Sequence, residues 1–151
     1  MKIRIYDNFF TEDECKELID LRKKFSQFIE PMYNVSVLRV QRILDAKYRE
    51  RINKVSEDMN NSKIDYMEVV EWPKDSYKDL HFDTFKKKTT LSSVAFLNTD
   101  YVGGNLFFED MTLIKPRLGR MVFFDGKFYL HGVSKIKKGT RYMLTGFYEG
   151  K

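Results

Sequence analysis

The chain has 151 residues, of which 42% are hydrophobic and 15% aromatic, and its formal net charge is +5. This length fits one domain with a real core, and the aromatic content excludes a disordered chain and favours a β-rich interior. No stretch has the apolar length of a membrane span or of a signal peptide. Since Cys15 is the single cysteine, no internal disulfide can form, and we predict a soluble cytoplasmic protein without a membrane partner.

The first predicted elements are a short strand over residues 2–6 and a helix that begins just after Thr11. Thr11 and Glu14 have the T-x-x-E spacing of a capping box. Phe10, immediately before the cap, is placed to pack on Cys15 as a hydrophobic staple. The sequence therefore predicts a well-capped helix that serves as scaffold.

The apolar residues of this helix predict one buried stripe opposite a lysine-rich face. The stripe consists of Cys15, Leu18, Ile19, Phe25, Phe28 and Ile29. Pro31 blocks continuation of the helix. A β-branched run over residues 35–40 then predicts a strand, and a second helix is predicted over about residues 46–59.

From Ile64 onward the chain has the pattern of short strands separated by turn signals. The predicted strands cover residues 64–72, 80–83, 89–97, 105–108, 111–115, 120–124, 130–134 and 141–148. So many short strands favour a compact sandwich or barrel. We predict a single domain over residues 1–151, in which residues 1–62 supply a strand and supporting helices and residues 63–151 form the β core.

The two histidines of the chain are candidate metal ligands. On a strand, His81 and Asp83 would point to one face while Phe82 turns into the packing on the other side. His131 lies in the same strand-rich region. Two imidazoles and one carboxylate on one face of a metal are typical of non-haem Fe(II) oxygenases, although a catalytic zinc site can use the same ligands. The simpler alternative is a surface His-x-Asp pair without a ligand.

The last predicted strand contains a candidate anion-binding residue, Arg141. Alternation places Arg141, Met143, Thr145 and Phe147 on one face of this strand. If that face points inward, the buried guanidinium needs a carboxylate, which a metal-chelating dicarboxylate would supply. An exposed arginine at a strand edge is an equally weighted alternative.

The positive charge is distributed in short runs, which are usually solvated faces. These runs are Arg22-Lys23-Lys24, Lys86-Lys87-Lys88 and Lys137-Lys138. A nucleic-acid partner is the less favoured explanation of the charge, because no array of stacking aromatic residues accompanies it.

The stretch from Asp79 to Tyr148 resembles the catalytic core of the Fe(II)/2-oxoglutarate-dependent dioxygenases, specifically the prolyl 4-hydroxylase-like branch. The similar segments are residues 81–83, 91–98, 101–106, 115–120, 123–124, 131–133 and 138–142. The strand and capped helix of residues 3–21 are also similar to the N-terminal element of that branch. The resemblance covers most of the chain except residues 32–60.

The resemblance implies an α+β, mainly β fold with a double-stranded β-helix, or jelly-roll, core. It implies that His81, Asp83 and His131 bind Fe(II) and that Arg141 pairs with the 5-carboxylate of 2-oxoglutarate. O2 would be the second cosubstrate, and the resemblance also allows ascorbate as a reductant. The implied reaction is hydroxylation with release of succinate and CO2, and the presence of Asp83 favours it over halogenation.

Two positions differ from the branch and bear on cosubstrate binding. Trp72 is the nearest occupant of a position where many prolyl hydroxylases carry a cosubstrate-holding tyrosine, and Ala95 aligns with a second such tyrosine. We therefore include Trp72 among the cosubstrate-binding candidates. Thr145, which shares a face with Arg141, is a further candidate to give the carboxylate a hydroxyl.

A proline in a peptide or protein is the leading predicted substrate. The alternatives are oxidation of a nucleobase or nucleic acid, oxidation of a free amino acid or another small molecule, and a non-catalytic metal-binding barrel. Substrate choice is expected to lie with the loops at the barrel mouth, at residues 32–42, 73–80 and 84–89. Their candidate contacts are Arg39, Tyr77 and Lys86. The sequence predicts no oligomeric state.

Overall fold

The computed structural model describes residues 2–83 and 86–151. These residues form helices α1 (Glu12–Lys24) and α2 (Ala46–Asn60) and a short 3-10 helix at Ser26–Phe28. The strands are β1 (Ile3–Tyr6), β2 (Glu30–Met32), β3 (Val35–Arg39), β4 (Ser62–Trp72), β5 (Lys78–His81), β6 (Thr89–Phe96), β7 (Val102–Gly103), β8 (Leu106–Phe108), β9 (Leu113–Ile114), β10 (Met121–Phe124), β11 (His131–Val133), β12 (Ile136–Lys138) and β13 (Arg141–Gly150).

Every strand predicted after Ile64 is present, with ends that move by one or two residues. Three short strands were not predicted, namely β2, β7 and β12. β7 and β12 pair only with each other, and β7 is two residues long. Strands this short offer too few alternating residues to give a periodic signal.

The predicted capping box is present at the start of α1. Thr11 Oγ1 accepts a hydrogen bond from the Glu14 backbone N–H, and the Glu14 carboxylate accepts one from the Thr11 N–H. Phe10 and Cys15 are buried in the same apolar cluster, as the predicted staple requires. The sequence therefore predicted the beginning of α1 correctly.

The end of α1 differs from the prediction. The helix ends at Lys24, and the last three residues of the predicted stripe lie beyond it, with Phe28 62% exposed. The last turn carries three basic side chains, which suit the negative end of the helix dipole.

Arg22 corrects the prediction that the basic runs are solvated. It is buried, and its guanidinium donates hydrogen bonds to the carbonyl oxygens of Ser36 and Val69. Arg22 thus ties α1 to the sheet beneath it.

All described strands except β7 and β12 form two facing antiparallel sheets, in agreement with the predicted double-stranded β-helix. The larger sheet has the order β1-β10-β6-β13-β4-β3-β2, and the smaller has the order β5-β11-β8-β9. One apolar cluster joins the facing sides of the two sheets, through Phe96, Leu106, Phe108, Ile114, Val122, Phe124 and Met143. Residues 1–62 contribute to this barrel directly, since β1, β2 and β3 all belong to the larger sheet.

The two helices cover the outer side of the larger sheet. Cys15 and Leu18 of α1 and Tyr48 and Ile52 of α2 pack in one cluster with sheet residues such as Leu144. The inner side of the same sheet is left to face the smaller sheet and the cavity between them.

Neither helix in the described part of the chain has the length and apolar character needed to cross a membrane.

Candidate functional site

A cavity of about 480 Å³ lies between the two sheets. Its lining includes the three predicted metal ligands and also Arg141. Most of its remaining wall is apolar, with Val70, Leu106, Phe124, Val133 and Met143 among the lining residues. A concave, mainly apolar pocket with a few grouped polar side chains is the usual form of a small-ligand site.

His81, Asp83 and His131 come together at one point of this cavity. Their ligand atoms all lie within 4.8 Å of one another. Asp83 Oδ1 is 3.4 Å from His81 Nε2 and 3.2 Å from His131 Nε2. Two imidazole nitrogens and one carboxylate oxygen grouped in this way match the donor set of a non-haem Fe(II) centre.

Strand pairing brings the two histidines together. His81 is the last residue of β5 and lies opposite His131, the first residue of β11. Asp83 follows the end of β5, and its backbone N–H donates a 2.7 Å hydrogen bond to the Gly126 carbonyl oxygen. The predicted strand over residues 80–83 therefore ends two residues early, and Phe82 is 43% exposed instead of packed on the opposite face.

Backbone hydrogen bonds orient both imidazoles. His81 Nδ1 lies 2.8 Å from the Asp79 carbonyl oxygen, and His131 Nδ1 lies 2.8 Å from the Tyr129 carbonyl oxygen. Because a carbonyl oxygen can only accept, Nδ1 donates the hydrogen bond in each ring. Each Nε2 therefore faces Asp83, and it is the atom through which the ring would bind a metal.

A serine holds the second oxygen of Asp83. Ser92 Oγ donates a 2.7 Å hydrogen bond to Asp83 Oδ2, which leaves Oδ1 facing the histidines. Burial alone would raise the pKa of Asp83, but hydrogen bonds from His131, His81 and Ser92 outweigh it and hold the pKa well below its usual range. The ligand oxygen is thus ionised and oriented before a metal arrives.

Glycine at position 126 is required by the close approach of the Asp83 side chain. A Cβ at Gly126 would lie 2.5 Å from Ser92 Oγ and closer still to Asp83 Oδ2. We therefore expect Gly126→Ala to displace the carboxylate and to weaken Fe(II) binding by about 10- to 100-fold, as losses of outer-shell support usually do. Anaerobic titration with Fe(II) against a competing chelator measures this change.

Gly150→Ala is the matched control, because a Cβ there would meet only Thr90 Cγ2 at 3.8 Å. It should bind Fe(II) as the wild type does. Equal Fe(II) affinities for Gly126→Ala and wild type would show that Asp83 does not need this geometry.

Arg141 lies inside the cavity wall and is only 1% exposed. Its Cζ is 4.9 Å from the centre of the Trp72 ring and 5.8 Å from that of Phe96. Burial lowers the pKa of Arg141 to about 10, and the nearby Tyr101 acts in the opposite direction, chiefly through electrostatics. The guanidinium therefore remains charged at neutral pH.

Three buried donors in this part of the cavity have no hydrogen-bond partner within residues 2–83 and 86–151. They are Arg141 Nε, Trp72 Nε1 and the Tyr101 hydroxyl. Unpaired buried donors are costly, so they indicate a place for an acceptor. An anionic ligand such as the predicted 2-oxoglutarate carboxylate fits this need.

Of the two alternatives for Arg141, a buried residue facing inward and an exposed residue at a strand edge, the structure shows the first. Arg141, Met143, Thr145 and Phe147 all line the cavity, as strand alternation predicted. Thr145, however, is four residues from Arg141, or about 13 Å along the strand. Its predicted role toward the carboxylate remains a prediction, while Tyr101 is the hydroxyl that interacts with Arg141.

One comparison separates these two hydroxyl candidates. Tyr101→Phe is expected to raise the KM for 2-oxoglutarate about tenfold, because the buried Tyr101 hydroxyl, which has no hydrogen-bond partner among the described residues, is lost as a donor to the carboxylate. Thr145→Val, which keeps its shape, is expected to leave this KM unchanged. Steady-state succinate formation measures both, and the opposite order would favour Thr145 as the carboxylate partner.

The three candidate substrate contacts occupy different places. Tyr77 lines the cavity and is exposed at its mouth. Arg39 pairs with Glu30 at 3.8 Å and lies over the Tyr66 ring. Lys86 pairs with Asp65 at 3.0 Å. Thr84 and Phe85, within the predicted loop 84–89, lie outside the described residues.

The sequence prediction missed a buried acid, Glu68, in the wall of the cavity. It lies opposite Arg39 of β3 and Thr145 of β13, and it is 7% exposed. Burial raises its pKa to about 7, against smaller lowering effects of Tyr66 and Arg39 and with a further rise from Asp83. The sequence did contain a signal for this buried acid, namely one charged residue within the otherwise apolar run Met67–Val70.

The model of the 2OG-Fe(II) oxygenase superfamily matches residues 67–149 of the chain. The match includes the grouped His81, Asp83 and His131 as well as Arg141. No protein with a curated function matches the sequence.

Several solved structures have the same fold at low sequence identity. A prolyl-4-hydroxylase from Pseudomonas putida is similar with a TM-score of 0.79 and 17% identity, over 99% of this chain and 92% of that one. A prolyl hydroxylase from Trichoplax adhaerens, in complex with a hypoxia inducible factor peptide fragment, has a TM-score of 0.80 and 17% identity over 97% and 83% of the two chains.

The viral collagen prolyl hydroxylase of Paramecium Bursaria Chlorella virus-1, in complex with 2OG, has a TM-score of 0.76 and 18% identity. That alignment covers 100% of this chain and 97% of the viral enzyme. All three structures support a shared double-stranded β-helix.

Proposed function

The chain belongs to the 2OG-Fe(II) oxygenase superfamily, whose cofactors are Fe(II) and 2-oxoglutarate, and on this premise we propose that it hydroxylates a prolyl residue of a peptide or protein. The observation that carries the proposal is the shared cavity. His81, Asp83 and His131 converge there, and the same wall contains the buried Arg141.

In this proposal the metal is held by His81 Nε2, His131 Nε2 and Asp83 Oδ1. The orientation of all three supports the assignment, because each has its second polar atom engaged elsewhere. Phe124 packs edge-on against the His131 ring, with centroids 4.7 Å apart, and limits its rotation. The ligands therefore need little rearrangement on binding.

Arg141 would bind the 5-carboxylate of 2-oxoglutarate. A guanidinium and a carboxylate match in geometry and charge, and this carboxylate would also accept a hydrogen bond from the unpaired Nε of Arg141. Trp72 contributes the ring beside Arg141 and an unpaired indole N–H in the same wall. We propose both as cosubstrate-binding residues.

When bound together, Fe(II) and 2-oxoglutarate supply the oxidising chemistry, in which one oxygen atom of O2 enters the substrate and 2-oxoglutarate becomes succinate and CO2. The chain's own residues provide the setting. The apolar wall of Leu106, Val133 and Met143 limits access of water. Asp83, His81 and His131 would hold the metal from one side of the cavity.

The mouth of the cavity supports a peptide as the substrate. Tyr33, Tyr77 and Phe82 line the cavity and are exposed to solvent. Lys78 Nζ lies 4.0 Å from the centre of the Tyr33 ring, which orients that ring at the rim. An exposed aromatic rim beside a reaction cavity suits an extended peptide better than a small polar molecule.

The experiment that tests the function has two steps. Anaerobic titration should show 2-oxoglutarate binding that depends on Fe(II). Succinate formation in air is then measured with proline peptides, free amino acids and oligonucleotides, together with mass spectrometry of each candidate. Proline peptides should raise succinate formation and gain one oxygen atom.

Two results would contradict the proposal in different ways. Oxygen incorporation into an oligonucleotide or a free amino acid, and not into peptides, would keep the reaction and replace the substrate. Absence of 2-oxoglutarate binding with Fe(II) present would favour a non-catalytic barrel.

A further inference from the structure

Glu68 is a buried carboxyl group that the proposed roles of the cavity do not use. It lines the cavity, it is 7% exposed, and its Oε2 has no hydrogen-bond partner within the described part of the chain. The Tyr66 hydroxyl interacts with the same carboxyl group, but burial still dominates and raises the pKa of Glu68. A carboxyl oxygen held in this way needs a donor from elsewhere.

No ion pair engages Glu68 among the described residues. Fe(II) and the two carboxylates of 2-oxoglutarate neutralise one another, and Arg141 and Asp83 do the same. Lys78, the remaining cation of the described lining, lies at the rim with its Nζ over the Tyr33 ring. Glu68 is thus an acid of the cavity wall with no cation in direct contact. Arg39, its cross-strand neighbour, is directed toward Glu30 and the Tyr66 ring.

The position of Glu68 separates it from the cosubstrate. On β4 it is four residues from Trp72, which lies opposite Arg141, so it is about 13 Å along the sheet from the proposed carboxylate site. A five-carbon dicarboxylate bound at Arg141 and the metal does not extend that far. Glu68 lies in the row of Thr145 and Val94, and Ser92, two residues before Val94 on β6, holds Asp83, which places Glu68 on the metal side of the cavity.

We infer that Glu68 is a specificity residue that binds a positively charged group of the substrate, an ammonium or a guanidinium, next to the carbon that is hydroxylated. The inference rests on the proposed function and narrows its substrate class to basic peptides. A buried carboxylate that meets such a donor gains a charge-assisted hydrogen bond, whereas a neutral group leaves it uncompensated.

Paired peptides test the inference through turnover. Each pair differs only in one residue adjacent to proline, either lysine against norleucine or arginine against citrulline. For the wild type, kcat/KM for oxygen incorporation should be at least tenfold higher for the charged member. In Glu68→Gln, which keeps the shape and removes the charge, this ratio should fall to about one.

Glu50→Gln is the matched control, because it removes one negative charge from the exposed face of α2. It should keep the preference of the wild type. A charged-to-neutral ratio near one in the wild type, or an equal ratio in wild type and Glu68→Gln, would overturn the inference.

A binding experiment keeps the inference testable if no peptide is a substrate. Protein loaded with Zn(II), as a diamagnetic substitute, and 2-oxoglutarate is titrated with n-butylammonium and with n-butanol by saturation-transfer NMR. The ammonium should bind the wild type at least tenfold more tightly than the alcohol and should lose this advantage in Glu68→Gln. Equal binding of the two probes to the wild type would overturn the role of Glu68, whereas failure of all peptides would overturn only the prolyl substrate.

Discussion

Asp83→Ala is expected to abolish succinate formation and to weaken Fe(II) binding by more than the roughly 10- to 100-fold that loss of an outer partner costs. The variant removes the anionic ligand and leaves the two imidazoles, His81 and His131, to hold the metal alone. Competition between the protein and a chromophoric chelator under anaerobic conditions gives the Fe(II) affinity. Turnover without added substrate, followed as succinate, gives the activity.

The fold should survive this substitution, since Asp83 lies past the end of β5 and its side chain bonds, among the residues that the structure describes, to Ser92 and the two histidines. Circular dichroism checks that point. Asp79→Ala is the control, because Asp79 is exposed and contributes only its backbone carbonyl oxygen to His81. An Asp83→Ala protein with wild-type Fe(II) affinity would remove Asp83 from the metal site.

Residue spacing predicted much of the candidate site because the His-x-Asp pair and the alternation around Arg141 are both local patterns. An acid two residues after a histidine, and an arginine that alternates with Met143, can be recognised within one segment. The face of β13 that carries Arg141 was therefore predicted correctly, including its neighbours in the cavity. The capping box of α1 belongs to the same class of short-range pattern.

The contacts that complete the site join distant parts of the chain. His131 meets His81 through the pairing of β11 with β5, and Gly126 lies against Asp83 across a gap of more than forty residues. No spacing rule connects such pairs. The position of Tyr101 beside Arg141 was not predicted for a related reason. Tyr101 precedes the very short β7 and approaches Arg141 only in the folded barrel.

The prediction for Phe82 shows a second kind of failure. Alternation holds only while the strand continues, and β5 ends at His81. Asp83 still lies beside the two histidines because the Gly126 carbonyl oxygen accepts a hydrogen bond from its backbone N–H, so the predicted grouping of His81 with Asp83 is observed although the predicted local geometry was partly wrong. Glu68 is a polar residue in an apolar strand. Its role depends on the sheet that faces it, and local spacing carries no information about that sheet.

Arg141→Met is expected to raise the KM for 2-oxoglutarate by about 100-fold or more while Fe(II) binding persists, since loss of one partner of a buried ion pair costs roughly 3–5 kcal/mol. Thermal unfolding measures the same loss. At a concentration about 100 times its Kd, 2-oxoglutarate should stabilise the wild type by about 2.7 kcal/mol, or about 5–10 °C, and this shift should vanish in the variant. A retained shift would assign the carboxylate to other residues.

The same substitution should leave the ligand-free protein as stable as the wild type or more stable, and Arg22 explains why. Both arginines are buried against the larger sheet, but Arg22 donates to the carbonyl oxygens of Ser36 and Val69, whereas Arg141 has an unpaired Nε and lies beside a Tyr101 hydroxyl that also lacks a partner among the described residues. Arg22→Met should therefore cost about 1–3 kcal/mol of unfolding free energy and leave 2-oxoglutarate affinity intact. A buried cation whose removal costs binding but not folding is one that is kept for its ligand.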